Sequence, residues 1–122
     1  MHPFPPEGEL QFLLANEPLL EVVSIGPFIL HLMFDNDCFV AIEEAITHRD
    51  AGGHETCYRA EWRNEQPIVF HRLIQRRLVG VNSSDWVLEL WFEGRESLLI
   101  HSEPSMYESG QIKKPDGTLI VF

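Results

Sequence analysis

FILHLMFDNDCFVAI, residues Phe28 to Ile42, returns in altered form as WVLELWFEGRESLLI, residues Trp86 to Ile100. With a constant offset of 58, Leu30 meets Leu88, Leu32 meets Leu90, Phe34 meets Phe92 and Ile42 meets Ile100. Phe28 falls on Trp86, Asp35 on Glu93 and Val40 on Leu98, with no gap across fifteen positions. Phe28, Leu30, Leu32 and Phe34 alternate, which is the period of a strand with one buried face. Val40 and Ile42 share that face only if the chain turns through three residues, Asp35-Asn36-Asp37, setting Leu32 opposite Val40 and Leu30 opposite Ile42. A two-residue turn would send both to the other side. In the second segment the same turn is Glu93-Gly94-Arg95.

Upstream, Val23 and Ile25 align with Val79 and Val81 once two residues are added to the second turn, where NSSD answers GP. Each copy then reads as strand, turn, strand, hairpin turn, strand. One such meander leaves an apolar face bare, and two packed together cover both. The expected architecture is a single α+β domain of two pseudo-repeated antiparallel β-meanders with one or two short helices. Repeat one covers about 19–42, an insertion about 43–65, a helix about 66–76, repeat two about 77–100, and a closing strand 118–122. GELQFLLA places Leu10, Leu13 and Leu14 on one helical face and must stop near Asn16, because Pro18 follows. In EQPIVFHRLIQRR, Pro67 suits a first helical turn and Val69, Phe70, Leu73 and Ile74 share a face. The insertion THRDAGGHETCYRAEWRNE, with no partner in the repeat, reads as a mobile polar loop followed by an edge strand, TCYRAEW.

The chain has 122 residues, enough for one domain with its own core, and 44% of them are hydrophobic. No stretch approaches a membrane span, and MHPFPPEGEL lacks the basic start and apolar run of a secretory leader, so a cytoplasmic protein is expected. Cys38 and Cys57 do not make a disulfide framework. Nineteen acids against nine Lys and Arg give a formal net charge of −10. Such a field repels nucleic acid and speeds encounter with basic surfaces.

LELWFEGRESLLI, the YES at Tyr107 to Ser109 and the closing PDGTLIVF resemble a family of small uncharacterised bacterial proteins with tandem β-hairpins. That family's pattern is F-D-D-G-x-x-L-x-I, then Tyr-Glu-x-Trp, then a glycine and a hydrophobic strand. Phe92, Leu98, Ile100, Tyr107, Glu108, Gly117, Leu119 and Val121 match it. The likeness covers roughly Leu73 to Phe122, and Val22 to Ile42 more loosely. The family's turn glycine falls on Asp37 and Arg95, and its tryptophan on Gly110. The family lends no chemistry. In general character, a small acidic bacterial domain of this kind is similar to the immunity proteins encoded beside polymorphic toxins, which implies a neutralised partner rather than a reaction.

His48, Asp50, His54, Glu55 and Cys57 lie close together, but their spacing matches no familiar zinc pattern. A small metal- or ligand-binding protein or enzyme built on this His48 to Cys57 loop is the alternative reading. Cys38 beside Asp35 and Asp37 is poorly placed as a nucleophile, VNSSDW reads as a turn, and the acids Glu43-Glu44 and Glu103 with Glu108 read as solvated surface. Met33 and Trp91, with His31 and Glu89, occupy the non-core parity of the long strands: a helix covers them, or they form an open face rimmed by acids. The expectation is therefore a non-catalytic, cofactor-free acidic binding module whose partner is a cognate protein toxin, with no nucleic acid and no membrane. Its contacts are expected at Asp35, Asp37, Glu43, Glu44, Glu93 and Glu96, with Tyr58 and Trp62 as anchors, and its state is a monomer or weak homodimer.

Overall fold

The computed structural model describes residues 2–59, 67–104 and 107–122. Ten strands form two five-stranded antiparallel sheets. The first meander is β1 (Leu20–Ile25), β2 (Leu30–Phe34) and β3 (Phe39–Ile42), and the second is β6 (Leu78–Ser83), β7 (Val87–Phe92) and β8 (Glu96–His101). The remaining strands are two hairpins, β4 (Ala45–Arg49) with β5 (Glu55–Arg59), and β9 (Gly110–Lys113) with β10 (Leu119–Val121). Each hairpin is added to the sheet of the other meander: the orders are β1-β2-β3-β9-β10 and β5-β4-β8-β7-β6.

Registers in the two sheets run in step. Leu30 opposes Ile42 and Leu32 opposes Val40; 58 residues further on, Leu88 opposes Ile100 and Leu90 opposes Leu98. Both long hairpins turn in three residues, and Asp37 and Arg95 both take a left-handed φ of 67°. Arginine is a poor occupant of that region, and the preceding Gly94 (φ 90°) shares the turn. The offset holds upstream too, because Val23 opposes Leu32 and Val81 opposes Leu90. The expected two-residue length difference is therefore absent: Gly26 N–H bonds Ile29 O, and Ser84 N–H bonds Val87 O, so both turns span four residues. The insertion also has a counterpart. His48 opposes Thr56 in β4–β5 and, 64 residues on, Ile112 opposes Ile120 in β9–β10.

The inner faces of the sheets enclose one core. Leu30, Leu32, Val40, Ile42 and Ile112 from the first meet Leu88, Leu90, Leu98, Ile100 and Ile46 from the second, all fully buried. Phe34 and Phe92 stack across it with centroids 6.3 Å apart. The meanders are tied reciprocally where they begin: Leu20 N–H bonds Arg76 O, Leu78 N–H bonds Pro18 O, and Leu19 bridges Arg77.

Helix is scarcer than expected, so the class is mainly β rather than α+β. Glu7–Leu14 is a 3-10 helix that buries Leu10 and Leu13. The helix expected over 66–76 shrinks to a 3-10 turn, Phe70–Leu73, because Gln75 goes left-handed (φ 72°) and gives its N–H to Leu20 O. The loop expected from Thr47 is also corrected. Ala45–Arg49 is an inner strand bonded on both edges, and of this hairpin β5 is the strand at the sheet edge, as expected. At the far end Phe4 stacks on Phe122 at 4.4 Å, and Phe122 exchanges backbone bonds with Gly110. A Cβ at Gly110 would strike Ala41 O and the Phe122 ring, so no tryptophan fits where the resembled family has one.

Gly110→Ala is expected to destabilise the protein by about 1–3 kcal/mol in urea melts, the cost of overpacking. Gly8→Ala, which meets no neighbour within 4 Å, is expected to stay within about 0.5 kcal/mol.

Candidate protein-interaction surface

Strand pairing sets which side chains share a face, since directly opposed residues point the same way. On the outer face of the second sheet one row reads Gly80, Trp91, Ser97, Arg49, Glu55. The next reads Asn82, Glu89, Leu99, Thr47, Cys57. This face closes on itself. Arg49 bonds both Glu89 and Glu55 at 2.8 Å. Thr47 Oγ1 and His101 Nε2 share a 2.8 Å bond, and burial, then the nearby Arg59, holds the His101 pKa down. Ser97 is fully buried beneath its neighbours. Trp91 lies against the bare backbone of Gly80, its Cβ only 3.4 Å from where a glycine Cβ would stand.

The first sheet carries different chemistry at the same register. Its rows are Val22, Met33, Phe39, Lys113, Leu119 and Ser24, His31, Ala41, Gln111, Val121. Where Arg49 has two acids, Lys113 faces Phe39 and Leu119; where Glu89 stands, His31 stacks on Phe39 at 5.1 Å. Val22, Met33, Leu119 and Val121 remain 36–50% exposed, and no described helix lies over them. Between β1 and the β2–β3 turn the face sinks into a groove of about 350 Å³. Its floor is Phe34 and Cys38, its walls Val22, Met33 and Phe39, and its rim Glu21, Asp37 and Lys113. A β-bulge places Glu21 there, because Leu20 pairs with Phe34 and Val22 with Met33, leaving Glu21 unopposed.

Charge follows the same division. Between Met1 and His48 there are eight acids and no lysine or arginine. Of the expected contact residues, Asp35 and Asp37 are exposed at this end of the first sheet, and Asp35 Oδ1 accepts Leu19 N–H at 2.9 Å. Glu93, exposed on the opposite turn, accepts Arg77 Nη1 at 3.3 Å. The Leu19–Arg77 bridge brings the two turns together: Asp35 N–H bonds Leu19 O, and Glu93 N–H bonds Arg77 O. Glu43 and Glu44 are half-buried where β3 crosses to β4; burial and the neighbouring Glu108 raise the Glu43 pKa, against a smaller opposing pull from His31.

Two expected contacts lie inside instead. Tyr58 is 3% exposed, packs edge-on against Phe70 and donates its hydroxyl to Pro67 O at 2.9 Å. Glu96 is 4% exposed and receives His48 Nε2 and Arg72 Nη2 on Oε1, each at 3.0 Å, and Arg76 Nη1 on Oε2 at 2.9 Å. The sequence places both at hairpin or edge positions; Glu96 is hidden by partners 20–48 positions away, and Tyr58 by Pro67 and Phe70 a short way along the chain. Trp62 lies outside the described residues. Val22, Phe39 and Glu21 are the groove residues that sequence reading missed, and the signal was Gly80 standing where the first meander has Val22.

The His48 to Cys57 segment does not gather its side chains. His48 is buried on the inner face against Glu96, whereas Cys57 opposes Thr47 on the outer one. Asp50 Oδ1 accepts the Gly52 and His54 N–H groups of its own turn, which lower its pKa. Among the described residues no group of three or more His, Cys, Asp and Glu is arranged to hold a metal ion, and no described helix is long and apolar enough to cross a membrane. No protein-family model matches the chain, and neither curated proteins nor solved structures provide a match.

Two measurements check this geometry. Burial, then Asp37, raises the Cys38 thiol pKa to about 11, so at pH 8 only about one molecule in a thousand carries its thiolate. Iodoacetamide is therefore expected to alkylate exposed Cys57 and leave Cys38 unmodified, as read by peptide mass spectrometry. Glu96→Ala leaves buried His48 without its partner, while Arg72 and Arg76 can turn to water, and is expected to cost about 1–3 kcal/mol. Removing the exposed Arg77–Glu93 pair is expected to cost about 1 kcal/mol or less, both by urea unfolding.

Proposed function

We propose that this chain is a non-catalytic acidic protein-binding module that arose by tandem duplication, and that it docks a basic partner on the outer face of its first sheet. The observation that carries the reading is the contrast between faces at one register. One sheet neutralises its own cation with Glu55 and Glu89 and seats Trp91 on Gly80. The other leaves Val22, Met33 and Leu119 open beside acids that have no cation among the described ion pairs. An apolar centre with a charged rim is the arrangement of a protein-binding patch. A net charge of −10 favours a cationic partner and opposes a second copy of this chain, so the module works as a monomer.

The most concrete form of this activity is that of a cytoplasmic immunity protein. It would neutralise a cognate bacterial toxin domain by covering its active site or basic surface, with no cofactor and no bond made or broken. The described mainly β fold, the acidity and the open face support that reading, and the likeness to immunity proteins supplies the partner class. In surface plasmon resonance with the protein encoded immediately upstream, the association rate is expected to fall at least about tenfold between 50 and 500 mM NaCl. An association rate indifferent to salt, or stoichiometric zinc in the purified protein, would sink the proposal.

A further inference from the structure

We infer that the groove between β1 and the β2–β3 turn receives one large apolar or aromatic side chain of the partner, flanked in its own chain by lysine or arginine. This rests on the docking reading above and adds the residue chemistry the site selects. The second sheet shows what its equivalent region holds. There the residues at the register of Val22 and Met33 are Gly80 and Trp91, and the indole of Trp91 lies on the glycine backbone, its Cδ1 and Cγ 3.6 and 3.8 Å from the glycine's missing Cβ. The sheet fills that place with its own aromatic group. In the first sheet Val22 and Met33 stand at those positions with no aromatic ring laid across them, and about 350 Å³ stays open beside Phe34 and Cys38. That volume lies at the lower end of the range of ligand-binding clefts, which is roughly 300–1,000 Å³.

The walls select the occupant's polarity. Val22, Met33, Phe39, Phe34 and Cys38 offer hydrocarbon and sulfur, and the thiol pKa of about 11 keeps Cys38 uncharged. A polar group pushed into the groove would lose water without gaining a partner there. Methionine and phenylalanine walls suit an aromatic or long aliphatic guest. The rim selects the guest's neighbours. Glu21 and Asp37 outnumber Lys113, and Asp35 stands exposed two residues before Asp37. Cations on either side of the anchor therefore meet carboxylates, and acids on either side meet like charge.

Three amidated pentapeptides test this: Lys-Lys-Trp-Lys-Lys, Lys-Lys-Ala-Lys-Lys and Glu-Glu-Trp-Glu-Glu, each titrated into protein carrying ¹³C-methyl methionine. The first is expected to shift the Met33 methyl signal saturably and to bind at least about tenfold tighter than the alanine peptide, as burial of one large side chain implies. The acidic peptide is expected not to bind. The double variant Val22→Gly with Met33→Trp copies the second sheet and fills the groove from within. Read by the fluorescence anisotropy of dye-labelled peptides, it is expected to hold the two lysine peptides equally weakly. Equal affinity of the tryptophan and alanine peptides for the unaltered protein would refute the anchor and leave the acidic docking reading standing. Absence of any Met33 shift would also refute the anchor, and the docking reading would then be judged by the salt dependence of its partner's association. Binding of the acidic peptide as tightly as the basic one would overturn the charge selection.

Discussion

Each meander presents an inner face that nothing in its own segment can cover, and contact between those two faces is the constraint from which the rest follows. Leu32 and Val40 on one side and Leu90 and Leu98 on the other are fully buried only because the sheets face each other. Burial of such side chains is worth about 1.5–3 kcal/mol each. The reciprocal bonds from Leu20 to Arg76 and from Leu78 to Pro18 fix how the meanders meet. Because a one-residue slip in either strand pair would turn its apolar set outward, pairing and packing enforce one another. Exchange of hairpins between sheets adds a further tie. β4 lies beside β8 and β9 beside β3, so neither sheet is complete without chain from the opposite half.

With the inner faces committed, chemistry can vary only on the outer faces and at the hairpin ends, and there the halves part company. The residue after the left-handed turn position is Cys38 in one half and Glu96 in the other, and both are buried. Cys38 settles by a weak bond to Phe12 O at 3.7 Å and by apolar contact. Glu96 draws in His48, Arg72 and Arg76. A buried polar cluster of this kind is no more stabilising than an apolar filling of the same space. Its consequence lies in where the cations go.

What the sequence made legible was whatever depends on neighbours close along the chain. The alternation of Leu30, Leu32 and Phe34 with the partner parity of Val40 and Ile42 sufficed to set the hairpin register and its three-residue turn. The helical stretches misled because periodicity at Phe70, Leu73 and Ile74 records a buried side, and a 3-10 turn held by Leu20 O buries the same residues. Thr47, His48 and Arg49 read as loop because they are polar; they are strand residues because His101, Glu96 and Glu89, some 40–54 positions away, satisfy them. Tyr58 hides under Pro67 and Phe70, which follow it closely in the chain but fold back over it. Asp35 and Asp37 were legible as exposed acids, since turn residues of a tight hairpin have little to cover them. The groove was not, because it exists only by comparison of Val22 with Gly80 across two sheets.

The distribution of charge follows from these same packing choices rather than from composition alone. Arg49, Arg59, Arg72, Arg76 and Arg77 all engage carboxylates, and each belongs to β4–β5 or to the approach to β6. Their acids are Glu44, Glu55, Glu89, Glu93, Glu96 and Glu103, of which only Glu44 precedes the first arginine. Five of the nine lysines and arginines are thereby paired within the second sheet and its borders, while Lys113 and Lys114 lie with the first sheet. Glu21, Asp35 and Asp37 take part in none of the described ion pairs, and the cation beside them at the groove is Lys113. At physiological ionic strength a charge is felt over about 8 Å, so neutralised pairs on the far side do little to soften the field at the first sheet. The rim of the open face is acidic, then, because the arginines that pair with carboxylates are gathered on the other sheet and its borders.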